Sequence, residues 1–394
     1  MSTITPTTTA NQDAGLGSPA LRDAPPACRA GRPRPAPGEH VPRGFAPRAA
    51  EVRPAVSPVD RAAWVRYVER HEAATVFHHP DWCDTVEDVF HHRPLHLLAT
   101  CDGEPVGVLP LMEVRSLLAG RLHVSVPYGT YGGLLADDPQ VGAVLADAAA
   151  GIARQRGARV LELRSATADV PDFEPVEGYL GFWRDLPERV EDVAASLPKR
   201  ARAAARHARD RSSVTVEHDP RLTPIVWELY CRSMHRIASL AYPRRFFDAL
   251  ARRLGPRAWA SVAWCAGRPV AGTISLEFRD TLMPYVLGLD ERIPCEGAAN
   301  LLYWSVMERA VERGLRRFDY GRSRADNAGA VGFKKNQGFE PRPLGYQRYV
   351  PPGRRAPDLK PSNPRFAWAR RAWRYLPLPV TRVLGAWLAR SIPG

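Results

Sequence analysis

The 394-residue chain is poor in several things, and each shortage excludes a class. Its six cysteines (Cys28, Cys83, Cys101, Cys231, Cys265 and Cys295) show no CxxC spacing and no dense framework. That excludes a disulfide scaffold and suits a reducing compartment, where thiols serve as small apolar residues. No run of 18 uninterrupted apolar residues occurs, so no ordinary transmembrane helix is expected. The opening MSTITPTTTANQDAGLG has no basic stretch followed by an apolar one, so no secretory signal is expected either. Together these give a cytoplasmic protein as the expectation. No Walker loop, dinucleotide fingerprint or Ser-His-Asp order is visible. Lysine is scarce: of 55 basic side chains only Lys199, Lys334, Lys335 and Lys360 are lysines.

What is present is unevenly spread. With 45% hydrophobic and 25% charged residues the middle of the chain can bury a proper core. Ten of the 38 prolines fall in residues 1–56 and eight in 351–394. The net charge of +13 divides as +3 in 1–56, +2 in 57–350 and +8 in 351–394. The basic character therefore belongs to the tails, above all the C-terminal one, and does not by itself argue for nucleic acid.

Residues 1–56, rich in Thr, Pro, Ala, Gly and Arg, cannot repay their ordering entropy and read as a disordered extension. Ser57-Pro58 signals a helix start, and a second helix is expected from Asp81 to Phe90. Two apolar runs around Asp102-Gly103 predict a hairpin, RLHVSVPYG a strand, Pro139 to about Gly157 a helix, and ARVLELRS a buried strand. The second half repeats the order. Helices are expected at Pro198–Arg211, Thr223–Ile237 and Arg244–Leu254, followed by three antiparallel strands, AWASVAWC, RPVAGTISLEF and TLMPYVLGL. A helix at Ala298–Arg313, the strand LRRFDYG, a short helix at Gly329–Asn336 and a last strand, RPLGYQRYV, complete it. The fold class is mixed α/β (α+β-like): two tandem copies, 57–185 and 186–350, of the order that acyl-CoA N-acyltransferase (GNAT) folds show, with a basic amphipathic tail at 351–394.

Three segments carry a resemblance: Phe318-Asp319-Tyr320-Gly321-Arg322-Ser323, Gly332-Phe333-Lys334-Lys335-Asn336 and Gly338-Phe339-Glu340-Pro341. His79-Pro80-Asp81-Trp82, Tyr131-Gly132-Gly133, the Leu161–Arg164 strand, Asn363-Pro364-Arg365 and Leu376-Pro377-Leu378-Pro379 extend it over about residues 57–392. With these the sequence resembles the Fem-type (FemAB-related) acyl- and aminoacyltransferases, most of all those associated with PEP-CTERM and exopolysaccharide systems. The resemblance implies N-acyl transfer to an amine of a cell-envelope saccharide or peptidoglycan-type precursor. It places Phe333-Lys334 against the site of the carbonyl or of a substrate phosphate, with Lys335 adjacent.

The residues themselves agree in outline. N-acyl transfer needs a nucleophilic amine, a positioned carbonyl and donors where negative charge develops. A Lys-Lys pair in an arginine-dominated chain marks Lys334 as the charge stabiliser; the plain alternative is two solvated lysines. Arg322-Ser323, after an apolar strand, offers a fork for phosphate or carboxylate, or else a surface turn. Tyr285 is the candidate proton donor to the leaving group, and Glu277 and Asp319 are the candidate bases. Tyr131 and Arg164 are candidate substrate contacts near a cleft between the halves.

The acyl donor stays open between acyl-CoA and aminoacyl-tRNA. The stretch LGLDERIPCEGAANLL lacks the usual glycine-rich pyrophosphate cradle, and KRARAAARHARDR is one short basic helix, able to touch tRNA phosphates or simply a solvated face. His78, His79, Cys83, His91, His92 and His96 do not complete a tetrahedral ligand set, so no metal is expected. The tail, with aromatic and basic residues interleaved over 365–392, is expected either to lie on an anionic membrane surface or to strap back onto the protein. The rival to an enzyme is a non-catalytic scaffold of the same fold in exopolysaccharide assembly.

Overall fold

The computed structural model describes residues 50–167, 170–358 and 363–393. Most of the disordered extension expected at 1–56 lies outside them. Its end does not behave as expected: Glu51–Pro54 is strand β1, paired antiparallel with Leu97–Thr100, and Val52 packs on the core. One apolar side chain among charged neighbours gave too little alternation to announce a strand.

Ser57 caps α1 (Pro58–Arg70) through a capping box with Asp60, and α2 (Pro80–Phe90) follows. The first half then lays down β2 (Arg93–Pro94), β3 (Leu97–Cys101), β4 (Glu104–Leu109), β5 (Met112–Ser116), β6 (Gly120–Val124) and β7 (Leu135–Ala136). Asp138 caps α3 (Pro139–Gln155), and β8 (Val160–Arg164), β9 (Glu174–Pro175) and β10 (Tyr179–Asp185) complete this half. The second half comprises α4 (Val190–Ser196), α5 (Lys199–Arg211), β11 (Thr215–His218), α6 (Thr223–Arg236) and α7 (Arg244–Leu254). The meander β12 (Ala258–Cys265), β13 (Arg268–Phe278) and β14 (Thr281–Leu289) follows, then α8 (Ala298–Glu312), β15 (Arg317–Arg324), α9 (Ala328–Asn336), β16 (Arg342–Pro343) and β17 (Tyr346–Tyr349). The tail forms α10 (Ala367–Trp373) and α11 (Leu378–Ala389).

The sheets do not respect the expected boundary at 185/186. The seven-stranded sheet runs β11-β12-β13-β14-β15-β10-β16, and the six-stranded one β2-β5-β6-β8-β17-β9. Thus β10, the last strand of the first half, pairs with β15 of the second, while β17 pairs antiparallel with β8 of the first. The expected single strand RPLGYQRYV splits accordingly, with Arg342–Pro343 on β10 and Tyr346–Tyr349 on β8. A strand goes where its apolar face is covered, and both exchanged strands find that cover in the other half. A third, four-stranded sheet has the order β1-β3-β4-β7.

Two features of the large sheet position the site. Strands β14 and β15 are parallel and pair only at Thr281–Arg317 and Leu282–Phe318; beyond these no pairing joins them. On the other edge of β15, Arg322 pairs with Gly181 and Asp319 with Trp183, so Tyr320 and Gly321 together oppose Phe182. This bulge adds one residue, and Gly321 sits at φ +64°, a conformation that glycine alone adopts freely.

Candidate active site

In a regular strand Asp319 and Arg322, three apart, would face opposite ways. The bulge sets Asp319 on the wall of one cavity and Arg322 on that of another, while Phe318 and Tyr320 pack in the core against Phe339 and Tyr303. Asp319 is buried; its carboxylate accepts from the Tyr131 hydroxyl at 3.2 Å and from the Gly321 N–H at 2.6 Å. Removal from water pushes its carboxyl up to about 7, against the lowering effect of those two hydrogen bonds and of Lys334. It forms part of the wall of a cavity of about 490 Å³ with Thr75, Tyr131 and Trp183 of the first half and Met283 and Arg317 of the second. A cavity of about 600 Å³ elsewhere, near Trp64, Asp84 and His96, does not include Asp319.

Lys334 stands behind the bulge. Its ammonium donates to the carbonyls of Tyr320 at 2.8 Å, Gly321 at 3.3 Å and Arg322 at 3.1 Å, and lies 4.9 Å from the centre of the Phe182 ring. An ammonium has three N–H donors, and all three are spent on backbone. The expected oxyanion contact is therefore corrected: Lys334 fixes the bulge that aims Arg322 and Asp319. Burial lowers its pKa to about 7, which the Asp319 charge opposes.

Several expected site residues are committed elsewhere. Glu277 accepts from Trp259 and holds Arg313 in a fork, at 2.5 and 2.9 Å, so it is a structural ion pair and not a free base. Tyr285 donates its hydroxyl proton to the Tyr128 carbonyl at 2.9 Å and packs on Trp82, which removes it as a ready acid. Arg164 pairs with Glu162 at 2.7 Å and donates to the Pro393 carbonyl at 2.9 Å, so the tail takes the place expected for substrate. Phe333 packs against Tyr303 and Tyr320, Lys335 is exposed on α9, and Ser323 is buried in β15 opposite Leu180. The structure brings together Asp319, Tyr131 and Arg322, with Lys334 behind them. Sequence reasoning missed Tyr179, Trp183 and Tyr346; only the strand exchange carries Tyr346 to Arg322, and no local pattern signals it.

The histidines are structural. His79 caps α2, His78 contacts Thr75, His92 meets the Tyr128 hydroxyl at 2.8 Å and His96 accepts from the Leu111 N–H. Among the described residues no group of three His, Cys, Asp or Glu side chains is arranged to hold a metal ion.

The start of α8 is where an acyl-CoA pyrophosphate would be sought. Here the preceding loop carries Asp290, Glu291 and Glu296, and Arg292 is held by Asp290 at 2.6 Å. Gly297 sits at φ +79° with a Cβ position 2.1 Å from the Ala204 carbonyl of α5, so that helix packs directly on the cap. The residues present do not fit a pyrophosphate.

Residues 195–335 match the acetyltransferase (GNAT) domain family. The fold is similar to that of FemX, 14% identical, with 76% of this chain and 97% of that one covered at a TM-score of 0.59. It is also similar to a tandem GNAT protein from the clavulanic acid biosynthesis pathway, 14% identical, covering 77% and 98% at a TM-score of 0.50. No curated protein matches the chain. Residues 195–335 are thus a GNAT-type domain, and the chain as a whole shares its fold with FemX and with that tandem GNAT protein. The class that the fold and the matched domain define is that of GNAT-fold proteins with an acetyltransferase-type domain.

Proposed function

We propose that the protein transfers an acyl or aminoacyl group to an amine of a cell-envelope precursor, related to peptidoglycan or exopolysaccharide, with Asp319 as general base. The observation that carries this is the buried Asp319 carboxyl, pushed up to about 7, on a cavity between the halves. The amine nitrogen attacks the acyl carbonyl carbon, its proton passes to the Asp319 carboxylate, and the bond to the donor's leaving group breaks. Tyr131 orients the carboxylate, and Lys334 holds the strand that bears it.

The poor fit at α8 favours aminoacyl-tRNA over acyl-CoA as donor. Exposed Lys199, Arg200, Arg206 and Arg211 on α5 offer phosphate contacts. The envelope acceptor is supported by the Fem-type segments around Asp319 and Lys334. It is supported too by the tail, whose α11 buries Thr381, Gly385 and Ala389 but exposes Val380, Val383 and Trp387. With Trp368, Tyr375, Arg371 and Arg374 also exposed, this outer side suits the headgroup region of an anionic leaflet. The tail is thus both strap and, in this reading, a peripheral membrane contact.

The test is to incubate the full chain with charged tRNA or acetyl-CoA and an amine-bearing muropeptide or saccharide, following product mass. Transfer that Asp319→Asn abolishes supports the reading. An Asp319→Asn variant as active as the parent sinks it, and no transfer from either donor leaves the non-catalytic scaffold.

A further inference from the structure

Arg322 has an environment unlike that of most arginines in this protein. Arg313, Arg156, Arg253 and Arg292 each face a carboxylate. The Arg322 guanidinium lies instead against two phenol rings, 5.0 Å from the centre of Tyr179 and 5.7 Å from that of Tyr346. Its side-chain hydrogen bond runs to the Tyr346 hydroxyl at 3.3 Å; Glu162 lies within electrostatic reach, but among the described residues no carboxylate forms an ion pair with it. A half-buried guanidinium without a directly paired anion is costly, and its fork keeps unused donors.

Those donors border a cavity of about 270 Å³ lined by Tyr128, Thr130, Tyr230, Tyr242 and Tyr285. Of the lining phenols, Tyr285 is spent on the Tyr128 carbonyl and Tyr128 on the Ala389 carbonyl, while the Tyr320 hydroxyl is buried without a partner. Among the residues lining this recess Arg322 is the charged one. The recess is too small for a nucleotide and of a size for one compact anionic group. Asp319 lines the neighbouring cavity, Met283 borders both, and Arg322 and Asp319 both lie within electrostatic reach of the Tyr131 hydroxyl.

The geometry points to an oxyanion subsite at Arg322, so that the acceptor is an amine that also carries a carboxylate or a phosphate. This rests on the reading of Asp319 as the base. The amine meets Asp319 while the oxyanion enters the tyrosine-lined recess and takes the fork of Arg322. Acceptors with an amine alone lack that second anchor.

Calorimetric titration of the full chain with aminocaproate, its neutral amide and aminohexyl phosphate tests it. The acid or the phosphate is expected to bind at least about tenfold tighter than the amide, and whichever wins identifies the oxyanion. Arg322→Gln should erase that preference, and Arg322→Lys, a charge without a fork, should retain only part of it. Equal affinity for acid, phosphate and amide in the parent protein overturns the subsite even if both variants melt early. So does a preference that persists in a folded Arg322→Gln protein. Asp319→Asn should keep the preference while losing transfer. A preference for the oxyanion in a parent protein that transfers nothing from either donor would instead sink the catalytic reading and leave the subsite standing.

Discussion

Asp319 is held in a state that its surroundings make costly, and that sets its pH behaviour. Its folded pKa of about 7 exceeds the ordinary carboxylate value, so the folded protein keeps a proton that the unfolded chain has already lost. Stability from this group is full at low pH and falls as pH rises towards 7, whereas the ionised form needed for proton abstraction grows over the upper part of that window. Turnover should therefore climb through about pH 7. Asp319→Asn, which keeps an acceptor for Tyr131 and Gly321, should lose about two to four orders of magnitude in turnover. Its melting temperature relative to the parent should rise between pH 4 and 7; a gap that shrinks over that range would contradict the account. Lys334→Met strands three carbonyls and should cost about 1–3 kcal/mol in denaturant unfolding as well as activity. Lys334→Arg should rescue neither, since a planar fork cannot converge on three carbonyls from one point. Gln337 is fully buried with neither its amide oxygen nor its nitrogen paired. Gln337→Met, of similar volume, should raise the melting temperature by a few degrees, read by calorimetry. The sequence named Asp319 and Glu277 alike, as acids at strand ends. What separates them is a guanidinium on one and a cavity beside the other, neither of which is local information.

Elements were legible where a pattern of one period ran unbroken. The three strands β12, β13 and β14 and the helix α7 have the bounds that alternation and turn residues imply. The tail shows the limit of such reading. Its interleaved aromatic and basic residues announce two short helices, but not which face docks. The answer lies in small residues: Gly385 packs against the Ala241 backbone, and Thr381 and Ala389 are buried on the same side. The large apolar side chains are left outside, Val383 71% and Trp387 53% exposed. Removing the tail would also remove the carbonyls that Tyr128 and Arg164 contact at Ala389 and Pro393. A truncated chain would then confuse unfolding with lost membrane affinity. The cleaner test changes the outer face alone. Val383→Asp with Trp387→Asp should abolish co-sedimentation with anionic vesicles at low salt while leaving the melting temperature almost unchanged. Equal pelleting of parent and variant would remove the membrane role from the tail and leave it as a strap.

At the scale of the molecule, the repeat of helices, meander, helix and strands was visible in the order of elements, and the exchange of strands was not. Pairing between β10 and β15, or between β17 and β8, depends on which sheet edge is open after everything else has packed. Sequence proximity says nothing of that. The exchange makes the halves interdependent. The second sheet needs Tyr179–Asp185 to complete the bulge opposite Phe182, and the first needs Tyr346–Tyr349 to cover β8 and to bring Tyr346 to Arg322. Ion pairs add to the join: Arg257 reaches Asp81 at 3.0 Å, and Arg253 reaches Asp84 and Asp88. A site built from Tyr131 on one half and Asp319 on the other thus depends on a fold that neither half completes alone. Residues 50–185 and 186–394 produced as separate pieces should each expose an unpaired strand edge and aggregate. Produced together in one cell, they should assemble into a single species that runs on gel filtration like the intact chain. Cooperative melting of either piece alone as a monomer would show that the exchanged strands are not required, and would return the boundary to 185/186.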